Sequence, residues 1–315
     1  MTGLTLAFAG TPAFTLPCLN ALYASRHTLK MIYTQPDRPA GRGRALQASA
    51  VKNWALEHHL PIQQPLNFKA QETQDTLAEL GIDALVVIAY GLILPRAVLD
   101  IPRLGCINVH ASLLPRWRGA SPIQHSILHG DTVTGVTLMQ MDTGMDTGPF
   151  FTQVHCPISK DDTSATLHDA LALCATTPLI ETLDALEKNT AHLTPQDSTL
   201  ATYAPKILKT DALINWHDPA PLIDQKIRAY NPWPIAYTHH NGETMRIYKA
   251  TIISCETANI AAGTVLSIEK EGLLIATGQD ALRIETVQFP GSKIMSVADC
   301  LRGEPSRFQK GHLFQ

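Results

Sequence analysis

The stretch that decides the fold is Cys106-Ile107-Asn108-Val109-His110-Ala111-Ser112-Leu113-Leu114-Pro115. Apolar Ile and Val alternate with more polar residues over its first half, which predicts a β-strand, and Pro115 ends the extended run. Asn108 and His110 are two residues apart, so on a strand they point to the same face. An amide that donates a hydrogen bond beside an imidazole that carries a proton suits the stabilisation of an acyl-transfer oxyanion. The alternative is a strand end whose two polar side chains are satisfied by neighbouring backbone.

Short apolar runs alternate with helical patterns over residues 1–189. Strands are predicted at 4–9, 29–34, 84–89 and 133–140, and the apolar runs at 4–9 and 84–89 are expected to be buried. This alternation predicts an α/β domain with a Rossmann-like, mostly parallel sheet, in which ligands bind at the carboxyl ends of the strands. The dinucleotide fingerprint G-x-G-x-x-G is absent, because Gly10 stands alone after the first strand. That absence argues against NAD or FAD.

The last third of the chain has a different pattern. Residues 190–206 contain the polar run Thr194-Pro195-Gln196-Asp197-Ser198-Thr199 and a second proline, Pro205, and predict a linker. Beyond it, a helix at 222–230 precedes short extended runs that turn signals such as Asn241-Gly242 separate. This pattern favours a small β-barrel or a sandwich for residues 207–315, and of the two we expect an OB-like β-barrel. The predicted organisation is therefore a catalytic domain at 1–189, a linker at 190–206 and a second domain at 207–315.

A long helical pattern covers residues 163–188, and Pro178 lies inside it. Proline has no N–H for the helix ladder, so a kink or a split is expected there.

Composition limits the partners and the compartment. The chain has 315 residues and a net charge of −3, so any site for a polyanion must be a local patch. Six cysteines without a C-x-x-C pair suit buried free thiols in a reducing cytoplasm. No basic leader and no long apolar run occur, so neither a signal peptide nor a membrane helix is expected.

One local patch is basic. Residues 35–44 contain Arg38, Arg42 and Arg44 against one Asp, together with two Pro and two Gly. The prolines and glycines predict an irregular, exposed loop, and its charge suits a phosphate-rich partner. An ordinary solvated surface loop is the alternative.

Two further loops are candidates for the site. Ile88, Tyr90, Gly91 and Leu92 follow a buried strand and can enclose a flat heterocycle, or simply cap the core. The loop at 141–148 is rich in Asp and Gly and offers Asp142 or Asp146 to orient His110. The residues alone do not choose between these two carboxylates.

These motifs resemble a known family. Asn108-x-His110-x-Ser112-Leu113-Leu114-Pro115, followed by Met141-Asp142-x-Gly144-x-Asp146-x-Gly148, is similar to the formyltransferases that use 10-formyltetrahydrofolate. The stretches at 36–43, 110–119 and 231–234 resemble the branch of that family that acts on methionyl-tRNA. The resemblance runs along almost the whole chain.

The resemblance implies a set of roles. The formyl group of 10-formyltetrahydrofolate would pass to the methionine amine of initiator methionyl-tRNA in the cytoplasm, with no metal, DNA or membrane involved. Asn108, His110 and Asp146, rather than Asp142, would be catalytic. The folate site would comprise Ser112, Leu113, Leu114, Pro115, Ile88, Tyr90, Gly91 and Leu92. Arg38, Arg42, Arg44 and the second domain would bind tRNA.

Three alternatives share parts of this pattern. A formyltransferase for the amine of a sugar nucleotide and a hydrolase of the formyl donor would use the same catalytic residues. A non-catalytic folate- or RNA-binding module would need none of them.

Overall fold

The computed structural model describes residues 3–40, 45–257 and 259–314. The chain divides into two compact units. The first comprises Met1–Pro122, Val133–Pro157 and His168–Ala204, and the second comprises Ile123–Thr132, Ile158–Leu167 and Pro205–Gln315. Most of the predicted linker, residues 190–204, therefore groups with the first unit. The domain boundaries at 189 and 206 stay a prediction.

The first part of the chain alternates strands and helices as the sequence indicates. Its strands are β1 (Thr5–Gly10), β2 (Thr28–Tyr33), β3 (Arg38–Ala40), β4 (Ala45–Gln47), β5 (Ile62–Gln63), β6 (Ala84–Ile88), β7 (Cys106–His110), β8 (Arg118–Gly119), β9 (Val133–Gln140), β10 (Phe150–Pro157) and β11 (Tyr203–Ala204). Its helices are α1 (Leu16–Ala24), α2 (Ala50–Glu57), α3 (Gln71–Glu79), α4 (Arg96–Leu99), α5 (Pro122–Leu128), α6 (Ser164–Cys174) and α7 (Thr176–Glu187).

The main sheet of the first unit has the order β10-β9-β7-β6-β1-β2-β5. The five neighbouring strands β5, β2, β1, β6 and β7 are parallel, whereas β9 runs antiparallel to both of its neighbours, β7 and β10. This arrangement confirms the predicted Rossmann-like, mostly parallel sheet. Apolar side chains of β1 and β6, such as Ala7, Leu85 and Val87, pack in one buried cluster with Phe68 and Leu77.

The strand order reverses beside β1. The chain places β2 and β5 on one side of β1 and then crosses over to place β6 and β7 on the other. Gly10 at the end of β1 pairs with Ile88 at the end of β6. In open α/β sheets ligands bind at such a reversal, outside the carboxyl ends of the strands. The residues that follow β6 and β7 are therefore where the fold favours a binding site.

The basic segment is more regular than its sequence predicts. Arg38–Ala40 (β3) pairs antiparallel with Ala45–Gln47 (β4), so the expectation of irregular backbone was wrong there. Pro39 is tolerated because this ribbon has two strands, and the missing N–H of a proline costs no bond on an open edge. Residues 41–44, which include Arg42 and Arg44, lie outside the described residues.

The long helical segment is split, as predicted. Helix α6 ends at Cys174 and α7 begins at Thr176, with Pro178 in the first turn of α7. Pro178 has no N–H to donate to the carbonyl of Cys174, four residues earlier, so the ladder is interrupted at this point.

From Pro205 onward, the second unit contains an antiparallel sheet with helix α8 before it and helix α9 after it. Its elements are α8 (Ala220–Ala229), β12 (Tyr237–His240), β13 (Glu243–Ile253), β14 (Val265–Ile268), β15 (Leu273–Ala276), β16 (Ala281–Gln288), β17 (Met295–Ser296) and α9 (Val297–Gly303). The strand order is β12-β13-β16-β15-β14, with β17 beside β16, and the sheet curls into a half-barrel. Ile223 and Ile227 of α8 share its buried core with Trp216 and Phe314.

The turn between β12 and β13 follows from its two residues. Asn241 and Gly242 have φ of +50° and +79°, the left-handed values that a two-residue hairpin turn requires. The turn predicted at this position is confirmed, and in the structure it joins the antiparallel pair β12 and β13.

The six cysteines carry free thiols. Burial raises the pKa of Cys18 and of Cys106 to about 12, which suppresses their reactive thiolate forms. In the described part of the chain, no helix is long and apolar enough to span a bilayer.

Buried His27 makes the stability of the first unit depend on pH. Its Nδ1 accepts a hydrogen bond from the Leu4 N–H at 3.0 Å, which requires that nitrogen to be unprotonated. Burial lowers the pKa of His27 below its ordinary 6.5, although the Asp184 carboxylate near Nε2 opposes this change. The contribution of neutral His27 to the free energy of unfolding is fully present above the pKa of His27 in the unfolded chain. It falls as the pH drops below 6.5, because the unfolded chain then binds the proton more readily than the folded one.

We expect His27→Asn to flatten this pH dependence. The Asn side-chain oxygen keeps an acceptor near the Leu4 N–H but has no proton to gain, so its unfolding free energy should fall less steeply below pH 6.5 than that of the parent. Denaturant unfolding of both proteins over a pH series measures the two slopes. Equal slopes would show that His27 does not carry the effect.

Candidate functional site

Strand β7 carries the two polar side chains that the sequence singles out. Asn108 lies opposite Val87 of β6 and Met139 of β9, and His110 lies opposite Thr137. Both side chains project from the same face, as the spacing predicts. The half-buried Asn108 side chain makes no hydrogen bond to any residue that the structure describes, so its amide N–H groups remain available to a ligand.

The buried His110 ring has two nitrogens with different surroundings. Nε2 lies 2.9 Å from the carbonyl oxygen of Trp117. A carbonyl oxygen only accepts hydrogen bonds, so Nε2 carries a proton and donates it. In the neutral ring Nδ1 is then the unprotonated nitrogen, and it faces Asp146.

Asp146 completes the cluster from the loop after β9. Its Oδ1 lies 3.7 Å from His110 Nδ1, and its Oδ2 accepts the Gly119 N–H at 2.8 Å. The first distance is too long for a hydrogen bond but short enough for the carboxylate to stabilise an imidazolium. The structure thus brings Asn108, His110 and Asp146 to one end of the sheet.

The neighbouring carboxylate, Asp142, holds the loop instead. Its Oδ1 accepts the Gly144 N–H at 2.9 Å and the Thr147 hydroxyl at 2.6 Å. Space is tight inside this turn, because a Cβ on Gly144 would lie 2.0 Å from Thr147 Oγ1. The geometry therefore distinguishes two aspartates that the residue types alone left equivalent.

One turn, Trp117 to Gly119, contacts both charged members of the cluster. The Trp117 carbonyl oxygen accepts from His110, and the Gly119 N–H donates to Asp146. Both residues have positive φ, +62° and +117°. Gly119 is required for space as well, because a Cβ there would lie 2.8 Å from the Ala204 carbonyl oxygen.

Residues 194–204, here named the bracing segment, contact this turn from the part of the chain predicted as a linker. Its Thr202 accepts the Trp117 N–H, and its Gln196 donates to the Asp146 carbonyl oxygen. Sequence reasoning missed both residues. No local pattern marks them, because these contacts join residues about fifty to ninety positions apart in the chain.

The predicted folate residues after β7 differ in exposure. The buried Ser112 hydroxyl donates to the Arg116 carbonyl oxygen at 2.6 Å, and Leu114 is also buried. Leu113 and Pro115 are half-buried. Leu113 and Pro115 therefore present the accessible side-chain surface of this stretch.

The predicted folate residues after β6 show a similar division. The Ile88 and Tyr90 side chains lie in the core, and burial raises the pKa of the Tyr90 phenol. Thr11 and Gln35 donate to the Tyr90 carbonyl oxygen at 3.1 and 2.8 Å, which fixes this loop. Gly91 is exposed and Leu92 half-buried, so a ligand here would meet mainly backbone and Leu92.

Of the predicted tRNA residues, Arg38 is exposed at the start of β3, whereas Arg42 and Arg44 lie outside the described residues. Within residues 3–40, 45–257 and 259–314, no three His, Cys, Asp or Glu side chains gather as a metal site.

Comparisons with known proteins cover the whole chain. The family model described as "Formyl transferase" matches residues 4–183, and the model described as "Formyl transferase, C-terminal domain" matches residues 206–305. Solved structures share the fold at low identity. One is HypX from Aquifex aeolicus in complex with tetrahydrofolic acid, with a TM-score of 0.66 and 16% identity over all of this chain and 51% of that one. Another is an N-formyltransferase from Helicobacter canadensis in complex with folinic acid and dTDP-3-aminofucose, with a TM-score of 0.65 and 18% identity over 91% of this chain and 99% of that one.

Two curated relatives are much more similar in sequence. The methionyl-tRNA formyltransferase of Legionella pneumophila strain Philadelphia 1 is 57% identical, and that of strain Paris is 56% identical. Both matches span 100% of this chain and 100% of the relative. With this identity over its full length, the chain belongs to the methionyl-tRNA formyltransferase family.

Proposed function

We propose that this protein transfers the formyl group of 10-formyltetrahydrofolate to the α-amine of methionine on initiator methionyl-tRNA. Full-length similarity to methionyl-tRNA formyltransferases supports this function. The observation that carries the chemistry is the meeting of the Asn108 amide, His110 Nδ1 and the Asp146 carboxylate at the carboxyl end of β7. A substrate used to start translation assigns the activity to the cytoplasm.

Asn108 stabilises the charge that develops on the formyl oxygen. The amine nitrogen attacks the formyl carbon, and the carbonyl electrons move onto oxygen. The unpartnered Asn108 N–H groups donate to that oxyanion, a kind of contribution typically worth about 3 kcal/mol. A preformed donor is effective because it needs no reorganisation as the charge appears.

His110 moves the proton. As the new C–N bond forms, the α-amine gives up a proton to Nδ1, and Asp146 stabilises the resulting imidazolium. Nδ1 then returns the proton to N10 of the folate as the bond from N10 to the formyl carbon breaks. Nε2 stays bonded to the Trp117 carbonyl oxygen throughout, so one nitrogen anchors the ring while the other reacts.

The formyl donor binds beside these groups, between the chain that follows β6 and the chain that follows β7. The reversal of strand order at β1 supports this location, since Ile88 at the end of β6 lies directly beyond Val87, the partner of Asn108. Exposed backbone at Gly91 and the surfaces of Leu92, Leu113 and Pro115 are the groups that meet the donor.

The acceptor tRNA is held by cations. Arg38 is exposed on β3, and Arg42 and Arg44 follow it in the chain, so the segment offers three guanidinium groups to phosphates. Phosphate contacts release counterions, which makes such binding weaken steeply with salt.

Sugar-nucleotide amines are the second candidate acceptor. The structure with dTDP-3-aminofucose supports only a shared fold, because its identity to this chain is 18%. Incubating the protein with 10-formyltetrahydrofolate and either initiator methionyl-tRNA or a dTDP-amino sugar separates the two. Formylation of the sugar alone would contradict the proposal.

Replacing His110 should remove turnover and spare binding. We expect His110→Ala to lower kcat by about 100-fold or more, because it loses the group that moves the proton. The affinity for a non-reactive folate analogue should change little. His155→Ala, which alters an exposed histidine on β10, is the matched control. Near-parental kcat in His110→Ala would refute the assignment.

The two loop aspartates should respond differently to removal of charge. Asp146→Asn loses the anion that stabilises the imidazolium, so we expect kcat to fall by about 100-fold. Asp142→Asn keeps an oxygen that accepts from Gly144 and Thr147, so its kcat should stay near the parental value. Single-turnover rates with saturating donor measure both, and a reversed order of the two effects would exclude Asp146.

The basic segment should act on tRNA alone. We expect Arg42→Leu to raise the KM for initiator methionyl-tRNA several-fold and to reduce the salt dependence of binding by about one counterion. The affinity for a folate analogue should be unchanged. Arg96→Leu removes an exposed arginine paired with Asp100 and serves as control. Identical tRNA kinetics for Arg42→Leu and the parent would make the segment ordinary surface.

A further inference from the structure

The bracing segment lies between the stretches that the two family models match. It nevertheless forms hydrogen bonds with Trp117, which contacts His110, and with the backbone of Asp146. The models cover residues 4–183 and 206–305, so residues 194–204 fall outside both. Within the first unit this segment pairs with the turn after β7, through Tyr203 opposite Arg118 and Ala204 opposite Gly119. A peptide that only joined two domains would not need a strand register of this kind.

Thr202 forms hydrogen bonds with the turn through both its side chain and its backbone. Its Oγ1 accepts the Trp117 N–H at 2.9 Å, and its carbonyl oxygen accepts the Arg118 N–H, also at 2.9 Å. Its own N–H donates to the Pro115 carbonyl oxygen at 3.2 Å. Trp117 has a φ of +62°, a conformation that a bulky residue keeps only when its surroundings hold it. Thr202 is the side chain that holds it through its N–H.

Gln196 forms hydrogen bonds with the loop at 141–148, which carries Asp146. Its Nε2 donates to the carbonyl oxygens of Asp146 at 2.9 Å and of Gly148 at 2.7 Å. The buried Arg118 guanidinium in turn donates to Gln196 Oε1 at 2.8 and 3.2 Å, which fixes the orientation of the amide. Asp146 also has a left-handed φ, +56°, and the bond from Gln196 to its carbonyl oxygen holds the backbone in that conformation.

Two chains of contacts therefore end on the residues that the proposed mechanism uses. One runs from Thr202 through Trp117 to His110 Nε2, and the other runs from Gln196 to the backbone of Asp146. We propose that Thr202 and Gln196 are positioning residues of the formyl transfer, and that the bracing segment is a working part of the active site. This inference rests on the proposed function.

The geometry gives Thr202 the more direct effect on chemistry. The Thr202 hydroxyl is one of the contacts that hold Trp117 in the left-handed region, so its loss weakens the hold on the Trp117 carbonyl oxygen that faces His110. A less firmly held acceptor favours the proton on Nε2 less strongly, so Nδ1 is protonated in part of the population and cannot take a proton from the amine.

The test compares Thr202→Val with Thr202→Ser and Thr199→Val. We expect Thr202→Val, which removes the hydroxyl at nearly constant volume, to lower kcat by about 10-fold or more while both KM values stay within about twofold. Thr202→Ser keeps the hydroxyl and should restore most of the rate. Thr199 is exposed in the same segment, and its hydroxyl donates to Asp197, so Thr199→Val should match the parent.

A double variant separates positioning from general destabilisation. If Thr202 acts through His110, then Thr202→Val should cost little further activity in a His110→Ala background. An equal loss in both backgrounds, or a kcat of Thr202→Val equal to that of Thr199→Val, would overturn the proposal. Gln196→Met should behave in the same way toward Asp146→Asn, with a loss of kcat in the parental background only.

A measurement without turnover keeps this inference distinct from the proposed function. Nitrogen-15 NMR of labelled histidine reports which ring nitrogen carries the proton. We expect the neutral His110 ring to be protonated on Nε2 in the parent and to gain the Nδ1 form in Thr202→Val. An unchanged tautomer in Thr202→Val would overturn the inference, whereas a parent that fails to formylate methionyl-tRNA would overturn the proposed function alone.

Discussion

The hydrogen bond from His110 Nε2 to the Trp117 carbonyl oxygen, 2.9 Å long, is the constraint on which the proposed chemistry depends. A backbone carbonyl has no proton to give, so this bond fixes the tautomer of the ring. In the proposed chemistry Nδ1 is then the reactive nitrogen, and it is the nitrogen that faces Asp146. If the carbonyl acceptor lay beside Nδ1 instead, the proton would be on Nδ1. The same three residue types would then be present, but the nitrogen that faces Asp146 could not accept a proton.

The surrounding fold fixes the position of the Trp117 carbonyl oxygen relative to His110. The parallel sheet carries Asn108 and His110 on one rigid strand, and the strand order reverses at β1, the kind of position at which open α/β sheets bind ligands. Two non-glycine residues, Trp117 and Asp146, then hold left-handed conformations next to the ring. Such conformations are retained where neighbouring contacts enforce them, and here those contacts come from a segment much later in the chain.

The sequence was informative where the signal is local and repeated. Alternation over β7 predicted the strand and the common face of Asn108 and His110, and Asn241-Gly242 predicted a turn between two extended runs. The resemblance to formyltransferases chose Asp146 over Asp142, and the structure supplies the physical difference, since Asp142 holds its own loop while Asp146 lies 3.7 Å from His110. Residue types and spacing alone could not give that difference, because it depends on the backbone of an irregular loop.

Reasoning from the sequence failed where a contact joins distant segments. Thr202 and Gln196 lie in a stretch whose prolines and polar residues are typical of linkers, and only their pairing with residues 115–119 and 146–148 gives them a role. At Pro39 the error was the reverse, because irregular backbone was predicted where the structure has a strand. Proline argues against a strand in general but is acceptable in a two-stranded ribbon. In both cases the deciding fact is which neighbour the backbone has, and no short window of residues contains it.

Neutron diffraction from a deuterated crystal locates the protons on His110 and so shows whether Nε2 donates to the Trp117 carbonyl oxygen. At a pH where the ring is neutral, we expect a deuteron on Nε2 that points at this oxygen, and none on Nδ1. A deuteron on Nδ1 alone would contradict this expectation, since the nitrogen facing Asp146 would then have no lone pair with which to accept the proton of the attacking amine.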